Sequence, residues 1–252
     1  MLNRRHALKT LAGLALCPLC ASAGFAAEGA HWGYSGATGP DKWGDLDAAY
    51  KTCSIGSQQS PIDIVDAIDA KLSALEIAWD KQAAKTIVNN GHTIQLDTGE
   101  GSTLTVGEDK YTLLQFHFHR PSEHKIGGKS YPMEVHYVHR DAAGKLAVVG
   151  VLMTEGASNG TFKAIAAAMP SKAGAQAKAD GIDPNGLLPA SRSYYRYAGS
   201  LTTPGCNEIV NWLLLTAPIE VATGDIDAFA KLYAMNARPA QTLDRRFVLK
   251  SG

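Results

Sequence analysis

Five of the eight histidines fall between positions 117 and 139, at spacings that suit a metal centre built on adjacent strands. In an extended chain residues i and i+2 point to the same face. In Gln115-Phe116-His117-Phe118-His119 the two imidazoles therefore project together, about 7 Å apart at the backbone. Phe116 and Phe118 point the other way and can anchor the strand in a core. A second alternating segment, Glu134-Val135-His136-Tyr137-Val138-His139, offers a third imidazole. Antiparallel pairing of the two segments brings His136 beside the first two, and the connection from Arg120 to Pro132 is long enough for it. Three histidines with one open position are the layout of a catalytic zinc site, whereas a structural site fills every position with protein ligands, usually including cysteine. A lone His-X-His also occurs on surface strands and as an adventitious metal site. The third histidine, at strand spacing in the next segment, favours a mononuclear histidine-bound metal, Zn²⁺ by its ligand set.

Other segments share the two-residue period of strands: Thr93–Asp97, Thr103–Val106, Leu113–His119 and Met133–His139. Leu146–Met153 and Ile209–Leu215 are apolar runs of strand length. Helical spacing is rarer. Gly160–Met169 and Asp225–Ala234 carry apolar residues on one side, and Ser171–Asp180 is rich in Ala and Lys with little apolar weight to bury. The pattern predicts a mainly β fold: a single domain on a large, mostly antiparallel twisted central sheet with short peripheral helices. Lys plus Arg equals Asp plus Glu, 24 against 24, which argues against a nucleic-acid partner, whose footprint is a basic excess.

Residues 1–26 read as a cleaved export signal of the twin-arginine type: Arg4-Arg5, an apolar stretch from Leu11 to Leu19, then small residues through Ala26. The apolar run is too short to span a bilayer, so no stable membrane anchor is expected after cleavage. The mature domain would be 27–252. Cys17 and Cys20 leave with the signal, and Cys53 and Cys206 remain. In an exported protein they form one disulfide or stay as two buried thiols.

These segments together resemble the signature of alpha-class carbonic anhydrases of the bacterial exported type. The histidine strands and Ser122-Glu123-His124 match its core. His31-Trp32-Gly33-Tyr34, Gln59-Ser60-Pro61-Ile62-Asp63-Ile64, Asn89-Asn90-Gly91-His92, Gly199-Ser200-Leu201-Thr202-Thr203-Pro204 and Arg238-Pro239-Ala240-Gln241 follow in family order. The resemblance implies about ten mostly antiparallel strands with zinc at the base of a conical cleft. It implies reversible hydration of carbon dioxide to bicarbonate by zinc-bound hydroxide, with His117, His119 and His136 as ligands. Thr202 would orient the hydroxide and pass its own proton to Glu123, and His92 would be the proton shuttle. Gln115, Glu134 and the Asn236 carbonyl would hold the outer nitrogens of the ligands. Tyr34, Asn90 and Gln95 would order a water chain, although the family often has Asn at the Gln95 position. Val138, Val148, Leu201, Thr203, Val210 and Trp212 would line the carbon dioxide site. Cys53–Cys206 recurs as a disulfide in exported members.

The connection Arg120-Pro121-Ser122 is shorter than in animal members and resembles bacterial ones. Bacterial relatives are often dimers, which admits a homodimer here, and a bacterial exported form would be periplasmic. Two rival readings share the site: a catalytically inactive carbonic-anhydrase-like binding protein, and a zinc esterase. Inactive members typically lack a ligand histidine, and this chain keeps all three. It carries no HExxH helix.

Overall fold

A computed structural model describes residues 30–252. The segment read as an export signal, with Arg4, Arg5, Cys17 and Cys20, lies outside the described residues, as does the start of the mature domain at 27. A 13-stranded sheet dominates the fold. Its continuous path uses β1 (Ile68–Ala70), β2 (Ala84–Asn89), β3 (Ile94–Thr98), β4 (Asp109–His119), β5 (Met133–Arg140), β6 (Leu146–Glu155), β7 (Gln176–Lys178), β8 (Tyr194–Gly199), β9 (Val210–Leu215) and β10 (Leu249–Ser251). The order across the sheet is β7-β2-β3-β4-β5-β6-β9-β8-β10-β1. Only β6/β9 and β10/β1 pair in parallel along this path. The short helices Gly160–Ala168 and Thr223–Ala230 bury Phe162, Ile165, Ile226 and Phe229.

Alternation sorts β4 and β5 between two environments. Tyr111, Leu113, Phe116, Phe118, Met133, Val135 and Tyr137 enter the main core, while Glu134 and His136 face the other side. Leu113 would share a face with His117 in a regular strand. It does not, because the β4/β5 register slips between Val138/Gln115 and His139/Leu113, leaving Leu114 as an extra residue. Such a bulge re-aims the side chains beyond it. It buries Leu113 in the main core while Gln115, His117 and His119 face the other side of the sheet.

One helical expectation is overturned. Ser171–Asp180 forms turns and the exposed edge strand β7 rather than a helix. The segment has no apolar stripe to bury, and Gly174, at φ +80°, takes a left-handed conformation that ends any helical run.

Cys53 and Cys206 form a disulfide, with Cα atoms 5.0 Å apart, beside the buried Trp43. It closes a loop across a sequence separation of 153, for which chain entropy allows up to about 5 kcal/mol. Reduction is therefore expected to lower the thermal midpoint by several degrees. Equal midpoints with and without reductant, once thiol titration shows the bond open, would contradict this.

His139 faces the core, where its Nε2 accepts from Trp79 Nε1 at 3.2 Å and its Nδ1 donates to Ala147 O at 3.2 Å. Burial lowers its pKa to about 4. The unfolded chain, titrating about 6.5, then binds the proton more readily. Stability from this group is full above pH 6.5 and falls as pH drops toward 4. Over that window the advantage of the wild type over His139→Gln should shrink by about 3 kcal/mol. Urea titrations at pH 7 and pH 4.5 would test this, and a constant difference would contradict it.

Candidate functional site

Strand register lays the site out in rows. Gln95 pairs with His117, His117 with His136, and His136 with Gly150, on four neighbouring strands. A Cβ at Gly150 would come within 2.7 Å of Leu214 and 3.1 Å of Glu134 Oε1, so glycine makes room for the carboxylate behind His136. The next row runs Gln115, Val138, Val148, Trp212, Tyr197. A polar row with the imidazoles therefore lies against an apolar one.

Each of the three histidines has one ring nitrogen already engaged. His117 Nδ1 lies 2.8 Å from Gln115 Oε1, His119 Nδ1 lies 2.9 Å from Asn236 O, and His136 Nε2 lies 2.8 Å from Glu134 Oε1. An amide oxygen, a peptide carbonyl and a carboxylate all accept, so those nitrogens carry the protons and the opposite nitrogens keep their lone pairs. One ring nitrogen from each of the three lies within 4.8 Å of the others. His119 Nε2 is fully buried and bonds to no protein group. A buried polar atom of that kind is costly unless something else binds it, and a cation shared with His117 and His136 satisfies it. Burial, the first cause in each case, lowers all three imidazoles, His119 to about 4 and His117 well below its ordinary value. They are neutral at pH 7, the form that ligates metal. The residues thus fit Zn²⁺: all-imidazole ligands and no thiolate, with His117 only partly buried.

Glu134 serves more than His136. Its Oε2 accepts the N–H groups of Glu123 and His124, each at 2.9 Å, and its Oε1 lies 2.7 Å from His124 Nδ1. Burial would raise this carboxyl, but His124 and His136 hold it well below the usual range. Tyr197 Oη lies 2.6 Å from His124 Nε2 and 3.0 Å from Ser60 Oγ, extending the network away from the cleft.

Glu123 is 1% exposed, and its Oε1 accepts the Arg238 N–H at 2.8 Å. Its Oε2 makes no hydrogen bond within 3.5 Å, though the Thr202 hydroxyl stands near enough to lower the carboxyl. Burial wins and pushes Glu123 up to about 7. A dication held by the adjacent histidines would favour its ionised form.

The His92 turn is set by Asn90, whose Oδ1 accepts the N–H groups of His92 and Thr93, each at 2.9 Å. The His92 ring stacks on Trp32 at 3.7 Å between centroids, 5° from parallel. Burial, then neighbouring His31, lowers its pKa. Asn90 Nδ2 donates to Gln95 Oε1 at 3.3 Å, joining two of the three residues expected to order water. Tyr34 lies edge-on to Trp32 and Trp43. Val138, Val148, Val210 and Trp212 share one apolar cluster, with Leu201 packed against it. Trp212 lies edge-on to His136 at 4.8 Å, so this wall adjoins the metal centre. Thr203 is half-buried in the same loop, where its carbonyl accepts the Cys206 N–H.

Sequence reasoning missed three contributors. Trp32 and Arg238 stand in the sequence only as members of longer motifs, yet Trp32 backs His92, and Arg238 holds Gln59 Oε1, Ser60 O and Cys53 O as well as Glu123. The Asn236 side chain left no pattern at all.

A mainly β protein with three clustered histidines beside an apolar cluster is a narrow structural class, and comparison with known proteins narrows it further. Residues 38–252 match the family model for eukaryotic-type carbonic anhydrase. A carbonic anhydrase from Nostoc sp. is 39% identical, covering 99% of this chain and 98% of its own. One from Neisseria gonorrhoeae is 41% identical, over 92% and 93%. The alpha-carbonic anhydrase of Thermovibrio ammonificans, in complex with the inhibitor sulfanilamide, superposes with a TM-score of 0.85 at 44% identity, over 88% of this chain and 99% of that one. The chain belongs to the alpha carbonic anhydrase family, enzymes whose general reaction is the hydration of carbon dioxide. The fold also extends to dioscorin complexed with ascorbate, with a TM-score of 0.81 at 28% identity over 87% of this chain and 97% of that one.

Proposed function

We propose that this enzyme hydrates carbon dioxide to bicarbonate with Zn²⁺ held by His117, His119 and His136. The observation that carries the reading is the set of lone pairs left by Gln115, Asn236 and Glu134, including the buried, unpartnered Nε2 of His119. Bound zinc supplies Lewis acidity that lowers the pKa of a water to about 7. Thr202 then orients the attacking oxygen, accepting from it and donating to Glu123 Oε2. Val138, Val148, Leu201, Val210 and Trp212, with Thr203 at the rim, hold a nonpolar gas beside that oxygen without hydrogen bonds. His92, whose imidazole burial and His31 hold below its ordinary pKa, carries the released proton to buffer. Asn90, Gln95 and Tyr34 order the water between.

The catalytic unit is 27–252, exported to the periplasm after removal of residues 1–26. The Cys53–Cys206 disulfide supports an oxidising compartment. No described helix is long and apolar enough to cross a membrane. A homodimer is compatible with this reading.

Turnover on carbon dioxide and on an activated ester, measured side by side on zinc-loaded protein, tests the reading. Carbon dioxide should be the faster substrate by several orders of magnitude. Ester hydrolysis without carbon dioxide hydration would assign a zinc esterase, and neither activity in folded, zinc-loaded protein would assign a binding role.

A further inference from the structure

Asn236 is fully buried, and each of its polar groups is used. Its carbonyl accepts from His119 Nδ1 at 2.9 Å, and its N–H donates to Arg120 O at 2.9 Å. Those two bonds are made by the backbone and need no particular side chain. The side chain makes three more. Oδ1 accepts the Arg120 N–H at 2.7 Å, and Nδ2 donates to Phe118 O at 2.9 Å and to His92 O at 3.0 Å. One amide thus spans the end of the ligand strand and the turn that carries His92. Thr93 adds a second tie, its hydroxyl donating to the same Phe118 carbonyl at 2.5 Å. On the far side of the turn, Trp32 stacks on the His92 ring.

We propose that the Asn236 side chain is a positioning residue for proton transfer: a strut that sets where His92 stands relative to the His117–His119 strand. This rests on the reading of His92 as the shuttle. The physical reason is specific. A shuttle must reach the metal site through ordered water and still exchange with buffer, so its position matters as well as its chemistry. A turn hung on Asn90 alone is local and fixes the ring only relative to its own residues. Only an amide offers two donors and an acceptor in one plane at this position, which is what two carbonyls and one N–H demand.

The test uses the full zinc-loaded enzyme and Asn236→Ala, with Asn236→Asp as a second variant that keeps the acceptor for Arg120 and removes both donors. His92→Ala serves as reference. In dilute buffer kcat should fall by about tenfold in both Asn236 variants, within the range that a displaced proton-transfer group costs. Concentrated imidazole should restore it. The zinc content should be retained and kcat/KM, which reports the carbon dioxide step, should change far less than kcat. Independently of activity, the His92 ring-proton resonances, read in both metal-free and zinc-loaded protein, should lose the ring-current shift imposed by Trp32. Parallel loss of kcat and kcat/KM without imidazole rescue would overturn the proposal in favour of plain structural support. Unchanged His92 resonances would also overturn it. If His92→Ala leaves dilute-buffer kcat unaltered, the shuttle reading itself fails, and the resonances still report whether Asn236 holds the ring.

Discussion

Replacing His119 with alanine should reduce carbon dioxide hydration by at least about a thousandfold, or about 4 kcal/mol in the barrier. Of the three imidazoles His119 is the one whose free nitrogen is fully buried with no protein partner, and whose other nitrogen is fixed by a main-chain carbonyl. Its geometry is therefore the least adjustable. Alanine leaves two imidazoles, too few to hold the metal firmly, and strips the Asn236 carbonyl of its donor. Zinc content after dialysis should fall together with activity, while the circular dichroism of the variant keeps its strand signature. A folded His119→Ala protein that retains stoichiometric zinc and near-normal turnover would contradict the ligand assignment.

The second large effect is expected at Thr202. Thr202→Ala should lower kcat/KM by about 100-fold, or about 2.7 kcal/mol, the scale of losing one preorganised hydrogen-bonding group beside the reacting atoms. The argument rests on Glu123. One of its oxygens is committed to the Arg238 N–H and the other has no hydrogen-bonded partner, with the Thr202 hydroxyl nearby. A hydroxyl has a single proton, so donating it to Glu123 leaves only lone pairs for the attacking oxygen. That forces the oxygen to donate and points its own lone pair at carbon dioxide. Thr202→Ser keeps the hydroxyl and should recover most of the rate, and zinc content should match the wild type in both variants. Equal losses in the Ser and Ala variants would show that the methyl group, through packing of the loop, matters more than the hydroxyl.

Much of this site could be read from the chain because strands obey a period of two. That period alone puts His117 beside His119, and Gln115 and Glu134 two residues before their histidines, within hydrogen-bond reach in the structure. Pairing His136 with His117 needs only an antiparallel register. The family resemblance added what periodicity could not reach, notably Thr202 and His92, whose types alone suit an ordinary turn. The bulge at Leu114 was hidden, because Leu113 looks like one more member of an alternating run until the partner strand shows the slip. Service through the backbone leaves no residue-type signal: only the resemblance pointed to the Asn236 carbonyl as the partner of His119, and nothing in the chain foretells that the side-chain amide ties His92 to Phe118. Ser171–Asp180 misled for the opposite reason. Its composition favours helix, but a helix with no apolar face has nothing to pack against, and the sheet edge offered β2 as a partner instead.

The most direct test of the account is carbon dioxide hydration by the metal-stripped protein before and after one equivalent of zinc, beside His117→Ala treated identically. The account predicts negligible activity in the stripped enzyme, full recovery at one zinc per chain, and no recovery in the variant. Activity that survives stripping, or that returns equally in His117→Ala, would contradict a zinc centre built from His117, His119 and His136.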